Sequence, residues 1–327
     1  MAEDFVHSIS PGPALRPVVV VTDQVLRGWP LPMPDGDGDK EERGHVLVIA
    51  GSREMPGAAI LAATAALRSG AGKLVVATAA GIAPMAAAAI PEARVIALPE
   101  TAAGGIALTA IDALDEILKK IDAVLIGPGM QDERSICEFV RALLPMAGEA
   151  KVVLDAFAMG AVAGKFPSPS GPDGSPTAPA GGASEAACRV LLTPHAGEMA
   201  HLSGESKETI CSDPSAAARA AASNWQATVV MKGSTTFIAA PEGEVWRHDG
   251  GNAGLGTSGS GDTLAGIIVG LAARGAPLEQ AGAWGVALHA RAGVRLAERF
   301  GPLGYLAREI AAEIPALMHA LGSAGEK

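Results

Sequence analysis

Short runs of valine, isoleucine and leucine alternate with longer alanine-rich stretches along most of this chain. The runs fall at residues 45–51 (HVLVIAG), 73–78 (KLVVAT), 93–98 (ARVIAL), 123–129 (AVLIGPG), 151–156 (KVVLDA), 189–195 (RVLLTPH) and 227–233 (ATVVMKG). They are apolar at consecutive positions, not at every second one, and so predict strands covered on both faces. Helical segments lie between several of them. One spans 57–70 and is closed by Gly70; another spans 213–225, opened by Asp213 with Pro214 at the first helical position. After Gly261 the pattern is helical nearly to the end. Such alternation implies right-handed βαβ units: an α/β fold with a mostly parallel central sheet covered by helices on both faces.

Two stretches break the pattern. Residues 34–44, PDGDGDKEERG, are polar and turn-rich, and set off an N-terminal lead and linker (1–43) from a single catalytic domain expected over 44–322. Residues 164–184 are dense in Pro, Gly and Ser and too poor in apolar side chains to pack, which predicts a flexible insertion loop within that domain.

A chain of 327 residues with 49% hydrophobic content can bury a large core. Its net charge of -10 argues against a nucleic-acid surface, whose affinity comes from clustered Lys and Arg. Any phosphate site must therefore be local. Cys137, Cys188 and Cys211 show no metal or disulfide spacing and are read as buried thiols in a reducing compartment. The N-terminus is acidic where a signal peptide would be basic, and no apolar run approaches the roughly 18 residues of a membrane span. A cytoplasmic protein with no membrane association is expected.

Chemistry in such a sheet belongs at the carboxyl ends of the strands. GSREMPGAA, GPGMQDE, DAFAM, TPHAGE and KGSTT all fall there. The densest signal is GNAGLGTSGSGDTLAG at 251–266, five glycines in its first eleven residues, running into a helix predicted from Thr263 to Ala273. Glycine brings backbone N–H groups close to a ligand, and a helix start favours an anion. Asp262 would then sit beside a bound phosphate as a general base. The plainer alternative is a glycine turn with Asp262 as helix N-cap. There is no GxxxxGK[ST], no GxGxxG after a strand, and no GxSxG or HExxH.

The stretches HVLVIAGSREMPGAAILAATAALRSGAGKLVVAT, VLIGPGM, LLTPHAGEM, VVMKGSTTFIAAPEGEVW and GGNAGLGTSGSGDTLAGIIVGLAARG together resemble the ADP/ATP-dependent NAD(P)H-hydrate dehydratases, a branch of the ribokinase-like superfamily. The resemblance covers roughly 44–322 and reads as the dehydratase module without the epimerase domain some relatives carry. It implies phosphorylation of the hydroxyl on hydrated NADH or NADPH by ADP or ATP, with Mg²⁺ on the nucleotide phosphates, followed by loss of phosphate. It also implies roles. Asp262 would accept the hydroxyl proton while Gly259, Ser260 and Gly261 hold the transferred phosphoryl. Lys232, Gly233, Ser234, Thr235, Thr236 and Gly261 would contact the adenine nucleotide; Ala58, Gly129, His195 and Asp262 would contact the hydrated dinucleotide. Relatives of this kind are often tetramers, so a homo-oligomer is expected.

Each assignment has a plainer reading. Thr193 and Pro194 could cap a helix and leave His195 a solvated first-turn residue, with Glu198 orienting it or merely favouring the helix end. Lys232 could be an ordinary strand-end lysine, and Gly57 and Ala58 could be small only for helix packing. His45, His201, His248, His289 and His319 are read as structural or exposed. The chain also departs from the family: LDAFAM puts Phe157 where a second acidic residue is usual, and Gln131 stands where glycine is usual. A small-molecule kinase acting on a sugar or hydroxymethyl-pyrimidine alcohol, and a nucleotide-binding protein without turnover, are the competing functions.

Overall fold

The computed structural model describes residues 16–33, 43–163 and 189–322. The loop expected at 164–184 and nearly all of the polar segment at 34–44 lie outside the described residues. Ten strands form one sheet: β1 (Val18–Val20), β2 (His45–Ile49), β3 (Lys73–Ala79), β4 (Arg94–Leu98), β5 (Ala123–Ile126), β6 (Lys151–Leu154), β7 (Val190–Leu192), β8 (Thr228–Met231), β9 (Thr235–Ala239) and β10 (Val245–Asp249). Their order is β1-β10-β9-β8-β7-β6-β5-β2-β3-β4. All seven apolar runs became strands, and every contact among those seven is parallel. β9 is antiparallel to β8 and β10, and β1 runs parallel to β10.

Three strands were not foreseen. β9 and β10 form a hairpin that begins within KGSTT, with His248 paired to Thr236 and Arg247 to Phe237. β1 comes from the N-terminal lead. Trp29 of that segment stacks on Trp246 at 5.4 Å, and its carbonyl accepts hydrogen bonds from Gln280 and Trp284.

Eleven helices occur among the described residues: α1 (Asp23–Gly28), α2 (Pro56–Arg68), α3 (Ala83–Ala89), α4 (Asp115–Leu118), α5 (Glu133–Leu143), α6 (Ala196–Ser203), α7 (Lys207–Ser212), α8 (Pro214–Trp225), α9 (Ser260–Ala273), α10 (Leu278–Phe300) and α11 (Ala307–Gly322). Consecutive strand residues divide between two cores, as the period of two requires. Val46, Val48, Leu125, Val153 and Leu191 face α2, α9, α10 and α11. Leu47, Ile49, Val124, Val152 and Leu192 face the other side, where α5 packs. The first core owes its density to small residues. A Cβ at Gly266 would lie 2.2 Å from the Ala62 carbonyl oxygen and one at Gly270 2.5 Å from that of Ala66, so α2 and α9 touch backbone to backbone. This contact fixes the glycine-rich start of α9 beside the first half of α2.

Cys137 is buried as expected, but Cys211 is exposed, because α7 is a short surface helix with only Ile210 buried.

Candidate functional site

The carboxyl ends of β2, β5 and β6 are drawn together by backbone contacts that only glycine allows. Gly51 donates to the Pro128 carbonyl at 2.8 Å, joining the loop after β2 to the loop after β5. A Cβ on Gly127 would fall 1.9 Å from the Asp155 carbonyl oxygen. At Gly129, where φ is +65°, it would meet the Ala58 Cβ at 2.5 Å. Ala58 and Gly129 are thus neighbours, tightly packed where α2 begins. Gln131 adds a bond that glycine could not: its Nε2 donates to Glu54 at 2.7 Å, across the same two loops. Phe157 lies in the turn after β6 and is 45% exposed.

β7 and β8 end in a charged cluster. Asp155 is 4% exposed, and its Oδ1 accepts from Thr193 Oγ1 at 2.6 Å and from Lys232 Nζ at 3.3 Å. Lys232 Nζ also lies 3.6 Å from Glu198 Oε2. Burial alone would lower the Lys232 pKa, but Asp155 and Glu198 raise it above the ordinary lysine value, so the ammonium is charged. Lys232 is therefore no free strand-end lysine.

His195 is itself the N-cap of α6, which corrects the reading that placed the cap at Thr193 and Pro194. Its Nδ1 accepts from the backbone N–H groups of Gly197 (3.0 Å) and Glu198 (3.1 Å), while Glu198 accepts from the His195 N–H at 2.8 Å. This is a capping box with an imidazole in the usual place of a hydroxyl. Because Nδ1 accepts, the neutral ring must carry its proton on Nε2. The exposed Nε2–H is left as a fixed donor.

Helix α9 starts one turn earlier than predicted. Gly259, with φ +87°, is its N-cap, and Asp262 sits in the first turn; the N-cap reading of Asp262 is corrected. A Cβ on Gly259 would lie 2.5 Å from Leu61 Cδ1 of α2, so this loop and the start of α2 are in direct contact. Gly261 faces Lys232: a Cβ there would stand 3.6 Å from Nζ. Burial pushes the Asp262 carboxyl up to about 6, the Asp155 charge adds to this, and Lys232 opposes it.

One further residue lines the site. His289, classed as structural or exposed, sets its Nε2 3.0 Å from Ser260 Oγ and 3.1 Å from the Ser260 carbonyl. Burial holds its pKa down to about 4, and the ring is neutral near pH 7. The available signal was its face. Gly282, Val286 and His289 recur at helical spacing on the buried side of α10, where a polar ring needs a partner.

These elements enclose a cleft of about 740 Å³, within the range of small-molecule sites. Lys232, Gly233, Ser234, Thr236, Gly261, Ser260, His195 and His289 line it, with Leu255, Leu264 and Val286 as apolar wall. Thr235 turns away into a neighbouring cleft and donates to Asp249 at 3.1 Å, as alternation along β9 demands. Ala58, Gly129 and Asp262 are not part of this wall. Gly259 connects them to it through α2. No described helix is long and apolar enough to cross a membrane.

The chain as a whole is similar to known proteins. The sequence profile of the family described as NAD(P)H-hydrate dehydratase matches residues 46–316. An ADP-dependent (S)-NAD(P)H-hydrate dehydratase of Xanthomonas campestris is 45% identical over 95% of this chain and 98% of its own. The bifunctional NAD(P)H-hydrate repair enzyme Nnr of Moorella thermoacetica is 36% identical over 89% of this chain, which spans 52% of that protein. Among solved structures, the ADP/ATP-dependent NAD(P)H-hydrate dehydratase of Bacillus subtilis, co-crystallised with ATP/Mg²⁺, superposes with a TM-score of 0.75 at 28% identity over 93% of this chain and 99% of its own. Sequence and α/β fold agree, and the chain belongs to the NAD(P)H-hydrate dehydratase family.

Proposed function

We propose that this chain uses ADP or ATP to dehydrate the S form of hydrated NADH or NADPH, with Asp262 as general base. The observation that carries the assignment of the base is a half-buried carboxylate, raised to about 6, in the first turn of a glycine-capped helix that faces a charged lysine.

In this reading the dinucleotide's ring hydroxyl meets Asp262, and the contact of Gly129 with Ala58 at the start of α2 supports a close-packed wall beside it. At pH 7 an acid of pKa about 6 is ionised about ten to one, yet basic enough to take a proton. As the hydroxyl oxygen attacks the terminal phosphorus of the nucleotide, Asp262 takes its proton. The bond from phosphorus to the bridging oxygen breaks, releasing AMP from ADP or ADP from ATP. Charge on the transferred phosphoryl is met by the N–H groups of Gly259, Ser260 and Gly261 at the positive end of α9 and by Lys232. The ester then expels inorganic phosphate as the adjacent carbon gives up a proton, and the ring double bond returns. His195 offers its Nε2–H to the substrate from a ring fixed by the capping box.

Among the described residues no three His, Cys, Asp or Glu side chains gather as a metal cage. The few hard oxygen donors beside Lys232 suit a Mg²⁺ ion arriving on the nucleotide phosphates. Asp155 and Glu198, which flank Lys232, are the carboxylates that would hold the ion, and it would supply neutralisation of phosphate charge.

The test follows the reduced-nicotinamide absorbance while purified protein acts on hydrated NADH with Mg²⁺ and either ADP or ATP, with Asp262→Asn as control. Recovery by the native chain and its loss in the variant are expected. A stable phosphate ester with no recovery would instead assign a kinase.

A further inference from the structure

The ring of His289 uses one nitrogen and leaves the other open. Its Nε2 lies 3.1 Å from the Ser260 carbonyl oxygen and 3.0 Å from Ser260 Oγ. A carbonyl can only accept, so the proton of the neutral ring sits on Nε2 and Nδ1 keeps a lone pair. Nδ1 bonds to no group among the described residues. The unpartnered side-chain polar atoms that are shut off from water belong to Ser52, Arg247 and Asn252, and not to His289. His289 is half-buried and lines the cleft, so its Nδ1 is an acceptor within reach of a ligand. The tie to Ser260 also fixes the direction of the ring. Turning it over would set a carbon against the Ser260 carbonyl and lose the bond.

The surroundings select the ligand atom. Phosphate oxygens are acceptors, and they suit Lys232 and the Gly261 N–H. The donors left on an adenine nucleotide are the exocyclic amine of the base and the ribose hydroxyls. Val286 and Ala290 flank His289 on α10, and Leu255 and Leu264 line the same cleft. Apolar walls with one directed polar group suit a flat base better than a hydroxylated sugar. We infer that His289 Nδ1 accepts a hydrogen bond from the exocyclic amine of adenine, and so selects adenine over bases that carry an oxygen at that position. Ser260 holds the ring in this role. The inference rests on the nucleotide-dependent reading above.

The experiment measures, by calorimetry on the full chain, the affinity of AMP and of four analogues. Purine riboside monophosphate lacks only the amine, inosine monophosphate has an oxygen in its place, and the 2′-deoxy and 3′-deoxy forms of AMP each lack one ribose hydroxyl. The native protein should bind purine riboside monophosphate about three- to tenfold more weakly than AMP, the worth of one neutral hydrogen bond. Inosine monophosphate should bind more weakly still, because two acceptors then face each other. His289→Leu removes the acceptor and should bind AMP and purine riboside monophosphate equally. His289→Asn sets an amide oxygen close to the position of Nδ1 and should keep a preference for AMP. Each ratio is taken within one protein, so any general loosening from the lost Ser260 contact cancels. A native protein indifferent to the amine would overturn the inference with no variant needed. So would a preference that persists in His289→Leu, one that is absent from His289→Asn, or a deoxy-AMP deficit that vanishes in His289→Leu. Native protein that binds none of AMP, ADP and ATP would overturn the dehydratase reading itself.

Discussion

Lys232 Nζ lies 3.3 Å from Asp155 Oδ1, so the one lysine facing the start of α9 comes with a buried counter-charge. The two act on Asp262 in opposite directions: Asp155 raises its pKa and Lys232 lowers it. Without Asp155, Lys232 would hold Asp262 ionised but weakly basic. Without Lys232, burial and Asp155 would leave more of it protonated. The balance at about 6 suits a base that works near neutrality.

A pH profile reads this balance directly. For the native chain, kcat/KM on hydrated NADH should rise with pH through about 6 and level off above it, because the working form of Asp262 is ionised. Asp155→Asn removes a like charge, and the midpoint should move down. Lys232→Met removes an opposite charge and should move it up, along with a large loss of rate. Shifts of the same sign in both variants would refute the opposition.

Asp262 should also cost the fold stability where the enzyme works. Its folded pKa is about 6 against an ordinary 3.8, so the folded protein binds this proton more tightly than the unfolded chain. Its contribution is fully present below pH 3.8 and is lost as pH rises through 6. Asp262→Asn should therefore stabilise the protein at pH 8, on the order of 3 kcal/mol at most, and by far less at pH 4. The same change should cost about 10²–10⁴-fold in rate. A stability gain equal at both pH values would point to something other than the charge.

How much of this was written in the sequence depends on the range of the interactions. Strands β2 to β8 were legible because a doubly covered strand must be apolar at consecutive positions. β1 was missed although VVVV at 18–21 is an apolar run of the same kind; it lies outside the strand–helix alternation, and Val18, Val19 and Val20 sit exposed on a sheet edge, paired with β10. Lys232, Gly233, Ser234, Thr236 and Gly261 line one cleft, while Thr235 points to the other face of β9. His289 stayed hidden for one reason. Its partner, Ser260, is 29 residues away, and no local pattern records which buried polar group meets which.

Histidines supply the opposite pH term. Burial holds His289 and His248 down to about 4, below the ordinary 6.5, so the unfolded chain binds these protons more tightly. The stability they contribute is present above pH 6.5 and is lost as pH falls toward 4. Denaturant titrations of His289→Gln against the native chain should show a flatter fall of stability between pH 6.5 and 4. At neutral pH the variant should be weaker by about 1–3 kcal/mol if Ser260 Oγ, in a residue 5% exposed, loses its partner. Parallel stability curves over that range would exclude His289 as one source of the acid loss.

Two glycines of the α2–α9 contact separate stability from activity. At Gly266 an added Cβ meets the Ala62 carbonyl oxygen at 2.2 Å, backbone that cannot be trimmed. Gly266→Ala should cost about 1–3 kcal/mol by forcing the helices apart, with no rescue by shortening any side chain. At Gly259 the collision is with Leu61 Cδ1 at 2.5 Å, the end of a side chain, and φ of +87° adds strain of about 1–2 kcal/mol for any residue with a Cβ. Leu61→Ala in the Gly259→Ala background should therefore recover the collision but not the strain. The double variant should regain part of its stability, yet its rate should stay low, because the N–H groups that meet the phosphoryl are aimed by that φ. Full recovery of rate in the double variant would show that space alone, and not backbone conformation, keeps glycine at position 259.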